Sequence, residues 1–234
     1  MTVIKGGYVT YGEKIGILML DTVFPRIHGD MGNASTFPFP VKYKVVNDAS
    51  VVRVVKEGDV TLIEPFIKAA KELEEQGVQA ITTCCGFLAL FQKQIQTEVN
   101  VPFYSSSLMQ IPFVYNLIGQ KGKIGVLTAR KETLTFKHFE GAGVKDIPLA
   151  IEGMDDMSEF NRSIIEGNEV MDVKQVEQEV LQQAKALIEN HHDIRAIVLE
   201  CTNLTPYIED IKRVTQLPVF DILTLTKYVH NALR

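Results

Sequence analysis

The sequence has no excess of basic residues: 24 Lys and Arg stand against 29 Asp and Glu, for a net charge of −5. Without a basic run there is no electrostatic footprint for nucleic acid and no polybasic patch for an anionic membrane. No apolar run reaches the roughly 20 residues of a membrane-spanning helix. Residues 1–10 carry no apolar stretch of the kind a secretory leader needs. Three cysteines in 234 residues are too few, and odd in number, for a disulfide framework. Free thiols in a reducing, cytoplasmic setting are the expectation. Neither Gly-x-Gly-x-x-Gly nor Gly-x-x-x-x-Gly-Lys occurs, so the phosphate-cradling turns of dinucleotide and P-loop proteins are missing. His191-His192 has no cysteine or carboxylate nearby at ligand spacing, so no metal site is expected.

What is present is a globular composition, 46% apolar and 23% charged, which excludes disorder. There is also an internal echo. Lys14-Ile15-Gly16-Ile17-Leu18 returns as Lys123-Ile124-Gly125-Val126-Leu127, 109 residues later. Val78-Gln79-Ala80-Ile81 returns as Ile194-Arg195-Ala196-Ile197, and Val101-Pro102-Phe103 as Leu217-Pro218-Val219, both 116 residues later. Three matches in one order predict two similar halves, with a loop of different length near the start of each.

Each half alternates short apolar runs with helical periodicity. Runs at 15–20, 78–83 and 101–104, and again at 123–127, 196–199 and 218–220, read as strands buried on both faces. Helices are expected over 62–76, 86–96, 173–190 and 206–214. In the first of these Leu62, Phe66, Ala69, Ala70 and Leu73 share one face. Pro65 is tolerated in the first turn, and Gly77 is placed to stop the helix. Residues 24–46, with three prolines and two glycines, read as one long loop. Residues 155–168 read as a short helix and turn that the first half lacks. Ser105-Ser106-Ser107 is expected to cap a helix, with Asp221 as its counterpart. The fold class is α/β: two parallel-sheet α/β domains related by duplication, with an active-site cleft between them.

At the 116-residue offset Cys85 falls on Cys201. Both lie just past a strand and before a helix, where ligands bind in open α/β sheets and where a helix N-terminus favours thiolate. Two thiols facing each other across a cleft could exchange a proton with carbon, one from each side, while clustered backbone N–H groups hold the developing carbanion. Cys84, next to Cys85, is expected to point the other way and to pack.

These residues resemble a known group. Thr82-Thr83-Cys84-Cys85-Gly86-Phe87 and Glu200-Cys201-Thr202-Asn203 are similar to the two cysteine motifs of the aspartate/glutamate racemase superfamily. That group takes in aspartate, glutamate and hydantoin racemases, maleate isomerase and arylmalonate decarboxylase. The resemblance spans nearly the whole chain. It implies catalytic roles for Cys85 and Cys201, with no pyridoxal cofactor and no metal. Thr202 matches the threonine after the second cysteine, and Asp21-Thr22 resembles the Asp-Ser pair after the first strand. The final segment often returns to the first domain in this group, which implies one domain of residues 1–107 plus 222–234 and another of 108–221. The chain departs from the racemase pattern at Gly86-Phe87, where Asn-Thr is usual, and at Asn203, where His or Glu is usual. Asn cannot serve as an acid or base near neutrality.

The expected activity is that of an isomerase, a cofactor-independent racemase or epimerase of a small carboxylate such as aspartate, glutamate or a hydantoin. Asp21, Thr22, Gly86, Phe87, Thr202 and Asn203 would shape the substrate site. Arg26 could clamp a carboxylate, and the Thr128 hydroxyl could reach the ligand. Three alternatives stay open: maleate-type cis–trans isomerisation through thiolate addition, decarboxylation, and non-catalytic ligand sensing. A homodimer is compatible with the sequence.

Overall fold

The structure is a computed structural model that describes residues 6–233, so the leader reading rests in part on residues 1–5, outside that range. The strands are β1 (Ile15–Leu20), β2 (Val41–Val46), β3 (Ala80–Thr83), β4 (Phe103–Tyr104), β5 (Lys123–Thr128), β6 (Leu149–Gly153), β7 (Ile194–Leu199) and β8 (Val219–Phe220). The α-helices are α1 (Ile63–Glu75), α2 (Gln92–Gln96), α3 (Ile111–Leu117), α4 (Phe136–Gly141), α5 (Ser158–Phe160), α6 (Val173–Asn190), α7 (Ile208–Thr215) and α8 (Ile222–Ala232). They build two parallel sheets of matching order, β2-β1-β3-β4 and β6-β5-β7-β8. Among the described residues no helix is long and apolar enough to cross a membrane.

The inner strands are buried on both faces: Ile15, Ile17 and Leu18 of β1, and Ile197, Val198 and Leu199 of β7, are wholly inaccessible. That is why they read as near-continuous apolar runs. The expected face of α1, Leu62, Phe66, Ala69, Ala70 and Leu73, is buried throughout. Gly77 follows that helix with φ +89°. Ser106 and Asp221 both cap, accepting from the backbone N–H of Leu108 and Thr224 respectively. After β8 the chain crosses back, and α8 packs against β3 of the first sheet.

Four expectations need correction. Residues 24–46 are not all loop, because 41–46 form the edge strand β2, with Lys42 and Lys44 on it. Charges on an edge discourage pairing with other chains, and here they hid the strand. The edge strand β6 was missed in the same way. The segment 155–168 does have a counterpart: a wide helical turn at Val52–Lys56 matches one at Asn161–Ile165, 109 residues on. The drift from 109 to 116 residues comes mostly from α6, which has 18 residues where α1 has 13, and not from a loop near the start of each half. Finally, the helices expected at 86–96 and 206–214 begin as 3-10 turns, Gly86–Phe91 and Thr202–Tyr207, before α2 and α7.

Candidate active site

Those two 3-10 turns create the site. Cys85 and Cys201 are each the last extended residue before a turn (φ −147°, ψ 117° and φ −74°, ψ 122°). Their thiols lie at the carboxyl ends of β3 and β7, on the wall of one hollow between the sheets. The free space between its walls, counted out to the opening, is about 360 Å³. That figure includes space open to solvent, so the enclosed part of the hollow is much smaller and its walls lie close together. Leu20, Val51, Val55, Ala129, Ile164 and Ile165 make much of the wall apolar.

The thiols do not behave as the helix-terminus argument expected. Both are pushed well above the ordinary thiol range, first by burial and then by the neighbouring carboxyl of Glu200. Backbone N–H groups oppose this, from Phe87 at Cys85 and from Asn203 and Leu204 at Cys201, but desolvation wins. A short 3-10 turn offers a few N–H donors and little macrodipole. Cys84 also needs correcting. The sheet ladder runs one residue past Thr83, with the Cys84 N–H donating to the Leu18 carbonyl at 3.0 Å. Its sulfur accepts from the Leu20 N–H at 3.1 Å, and Cys84 lies on the wall of the hollow. Cys84 and Cys85 therefore both border the hollow, although they are adjacent in the chain.

Thr22, Arg26, Gly86, Phe87, Thr202 and Asn203 also line the hollow. Arg26 donates to Asp30 at 2.9 Å and to the Thr22 hydroxyl at 2.8 Å, and its guanidinium lies 4.1 Å over the Phe24 ring. Asp30 in turn accepts from the Asn203 side chain at 2.8 Å, which ties the loop after β1 to the second sheet's turn. The Thr202 hydroxyl makes a second tie, to the Cys84 carbonyl. Asp21 is exposed and faces a neighbouring surface hollow with Val23 and Ser50. Thr128 is wholly buried behind the wall and donates to Glu200 at 2.7 Å.

Glu200 is the residue that the sequence reading passed over. It is inaccessible to solvent, lines the hollow, and uses one carboxylate oxygen for Thr128 while Oε1 has no partner. Burial raises its pKa to about 7, against the opposing hydrogen bonds from Thr128 and the Ala129 N–H. Gly86 packs directly against it: a Cβ there would lie 2.2 Å from Oε1. The signal was present, since an acidic residue directly after the apolar run Ala196–Leu199 has to be explained by its neighbours.

No protein-family model matches the chain. Curated relatives do, among them two dimethylsulfoniopropionate lyases. A dimethylsulfoniopropionate lyase from Durusdinium sp. clade D is 30% identical over 218 residues, 90% of this chain and 71% of that protein. Dimethylsulfoniopropionate lyase 7 of Emiliania huxleyi is 32% identical over 222 residues, 90% of this chain and 64% of that protein. The chain belongs to the dimethylsulfoniopropionate lyase family. It spans about two thirds of the length of these two relatives.

Among solved structures, glutamate racemase isoform RacE1 from Bacillus anthracis superposes with a TM-score of 0.58 at 19% identity, covering 94% of this chain and 82% of that one. An unliganded arylmalonate decarboxylase superposes with a TM-score of 0.53 at 15% identity, covering 88% and 86%. The fold is that of the aspartate/glutamate racemase superfamily. Family membership overturns the racemase and isomerase expectation, because the relatives matched over 90% of the chain are named as lyases. The mistake has a chemical reason. Paired thiols in one hollow fit proton transfer at carbon, but whether the carbanion is reprotonated or expels a leaving group depends on the substrate, not on the thiols.

Proposed function

We propose that the protein is a lyase that acts without a metal or organic cofactor on a small carboxylate of the dimethylsulfoniopropionate type. Family membership over 90% of the chain carries this reading. The chemistry is a β-elimination. A thiolate takes the proton from the carbon next to the carboxylate, the electron pair becomes the new C=C bond, and the C–S bond breaks with its pair going to sulfur. Dimethyl sulfide leaves neutral, acrylate remains, and the proton stays on the thiol until solvent collects it.

Cys201 is the better base. We assign it that role because the backbone N–H groups of Asn203 and Leu204 favour its anion, as that of Phe87 does for Cys85. Cys85 holds the opposite wall. The substrate carboxylate faces the Arg26–Thr22 side and the turn N–H groups, which take up the charge that develops as the proton leaves. The pKa of both thiols is high in the free protein, and the sulfonium lowers it on binding, because a nearby cation favours a thiolate. Thr22, Gly86, Phe87, Thr202 and Asn203 shape the hollow, and Asp21 and Thr128 stand outside direct contact. The hollow lies between the two units proposed from the sequence, 1–107 with 222–234 and 108–221, and the three free thiols suit a reducing compartment such as the cytoplasm.

The test is direct. Purified protein incubated with dimethylsulfoniopropionate should release dimethyl sulfide into the headspace and acrylate into solution in equal amounts. Folded protein that releases neither at millimolar substrate refutes the assignment.

A further inference from the structure

The elimination accounts for the cysteines and leaves Glu200 without a task. A carboxyl group is costly to bury, and one with an unpartnered oxygen costs more. Among the described residues Glu200 Oε1 has no hydrogen-bond partner, and Glu200, inaccessible to solvent, borders the hollow. The side chain that hydrogen-bonds to the group, among the described residues, is Thr128. Gly86 is the one residue type that leaves this oxygen its space, since any Cβ there would collide with it. The cation on the wall, Arg26, already has its own carboxylate in Asp30.

The geometry points to Glu200 as the counter-ion of the substrate's cationic group, so that the hollow selects carboxylates bearing a permanently charged onium centre two carbons away. This rests on the lyase reading and deepens it. A zwitterion of that kind lies with its cation toward Glu200 and its carboxylate toward the Thr22 side and the turn N–H groups, where hydrogen-bond donors receive it. In a largely apolar enclosure an ion pair is far stronger than in water. Binding the cation also gives Oε1 a partner. A neutral thioether or branched alkyl chain of the same shape leaves the charge unpaired, and is rejected for that reason.

Two probes of equal shape isolate the charge: 3-(trimethylammonio)propionate and its neutral twin 4,4-dimethylpentanoate. Calorimetric titration of the full chain at pH 8 should show the cation binding at least tenfold tighter. Glu200→Gln, which can keep the bond from Thr128, should bring that ratio to about one while the melting temperature still reports a folded protein. The wild-type ratio should itself shrink as pH falls below 7, where Glu200 takes up a proton. Of the other groups around the hollow, the thiols of Cys84, Cys85 and Cys201 stay protonated over that range, and Arg26 and Asp30 neutralise each other. Thr128→Val removes a bond that lowers the Glu200 pKa, and should move the transition to higher pH.

A wild-type ratio near one, or a ratio that is the same at pH 5.5 and pH 8.5, overturns the proposal even if Glu200→Gln proves insoluble. So does an undiminished preference in folded Glu200→Gln. These are binding measurements, so they separate this inference from the lyase reading, which fails on the absence of dimethyl sulfide.

Discussion

The two halves of the molecule share a scaffold and differ in charge. At offsets of 109 and 116 residues, six pairs of wall residues coincide: Leu20 with Ala129, Val55 with Ile164, Cys84 with Glu200, Cys85 with Cys201, Gly86 with Thr202, and Phe87 with Asn203. The match extends to hydrogen bonds. The N–H of Leu20 donates to the side chain of residue 84 at 3.1 Å, and the N–H of Ala129 lowers the pKa of the side chain of residue 200. Matching backbone positions thus face a thiol in the first half and a carboxyl group in the second. The loop after β1 brings Arg26 to the hollow, while in the loop after β5 Arg130 lies near Asp155 and Lys131 near Glu152, and neither lines it. Duplication supplied a symmetric cradle, and substitution at a few wall positions left a carboxyl group on one side where the other has a thiol.

The sharpest way to break that picture is to remove each thiol in turn. Elimination needs one base, whereas a symmetric site would use both alike. Cys201→Ser should cut dimethyl sulfide release on the order of 10³-fold, the usual worth of a general base, and Cys85→Ser roughly tenfold. Headspace chromatography on both variants measures this, and equal losses would mean that the halves contribute equivalently. The same chemistry fixes the pH response. The base must be a thiolate and burial raises both thiols, so wild-type kcat/KM should climb through the alkaline range, and a plateau below pH 7 would exclude a thiol base.

The second test concerns stability and the one pair, Cys84 and Glu200, where chemistry diverged most. Glu200 is raised from 4.5 to about 7 in the folded protein. Between those values the unfolded chain has lost a proton that the native protein keeps. Stability is therefore fully present below pH 4.5, falls as pH rises toward 7, and is flat in this respect above it. The loss is on the order of 3 kcal/mol for a shift of that size. Urea unfolding of wild type and Glu200→Gln at pH 5 and pH 8 measures it. The variant should lack the decline, and identical slopes would mean that Glu200 is already ionised or solvated.

Much of this was legible beforehand, and the parts that were not share a cause. The inner strands and α6 were readable because burial on both faces, or on one stripe, imposes a pattern on sequence. Residues 173–190 were placed to the residue. The edge strands β2 and β6 escaped because solvent on one side relaxes that pattern. In the site, Cys85 and Cys201 could be found because duplication aligned two rare residues. Glu200 stood beside one of them and was overlooked, because its meaning depends on Thr128 and Gly86, far away in the chain. The leaving group of the proposed elimination could not be read at all, because it belongs to a ligand the sequence does not contain.

The smallest effect tests the symmetry itself. Gly16 and Gly125 occupy matching places on β1 and β5. A Cβ on Gly16 would meet Leu73 Cδ1 at 2.9 Å and Val78 Cγ2 at 3.2 Å, and one on Gly125 would meet Leu187 Cδ2 at 2.9 Å and Ile194 Cγ2 at 3.2 Å. The clash is with the tips of flexible side chains, and neither glycine needs a left-handed backbone. Alanine also lowers the entropy of the unfolded chain, which offsets part of the overpacking. Gly16→Ala and Gly125→Ala should each cost about 1 kcal/mol and agree within about 0.5 kcal/mol. Urea unfolding of the two variants side by side is sufficient. A difference above 1 kcal/mol would show that the cradle's halves have diverged in packing as well as in charge, and that the helix-on-sheet contacts of the two halves are no longer equivalent.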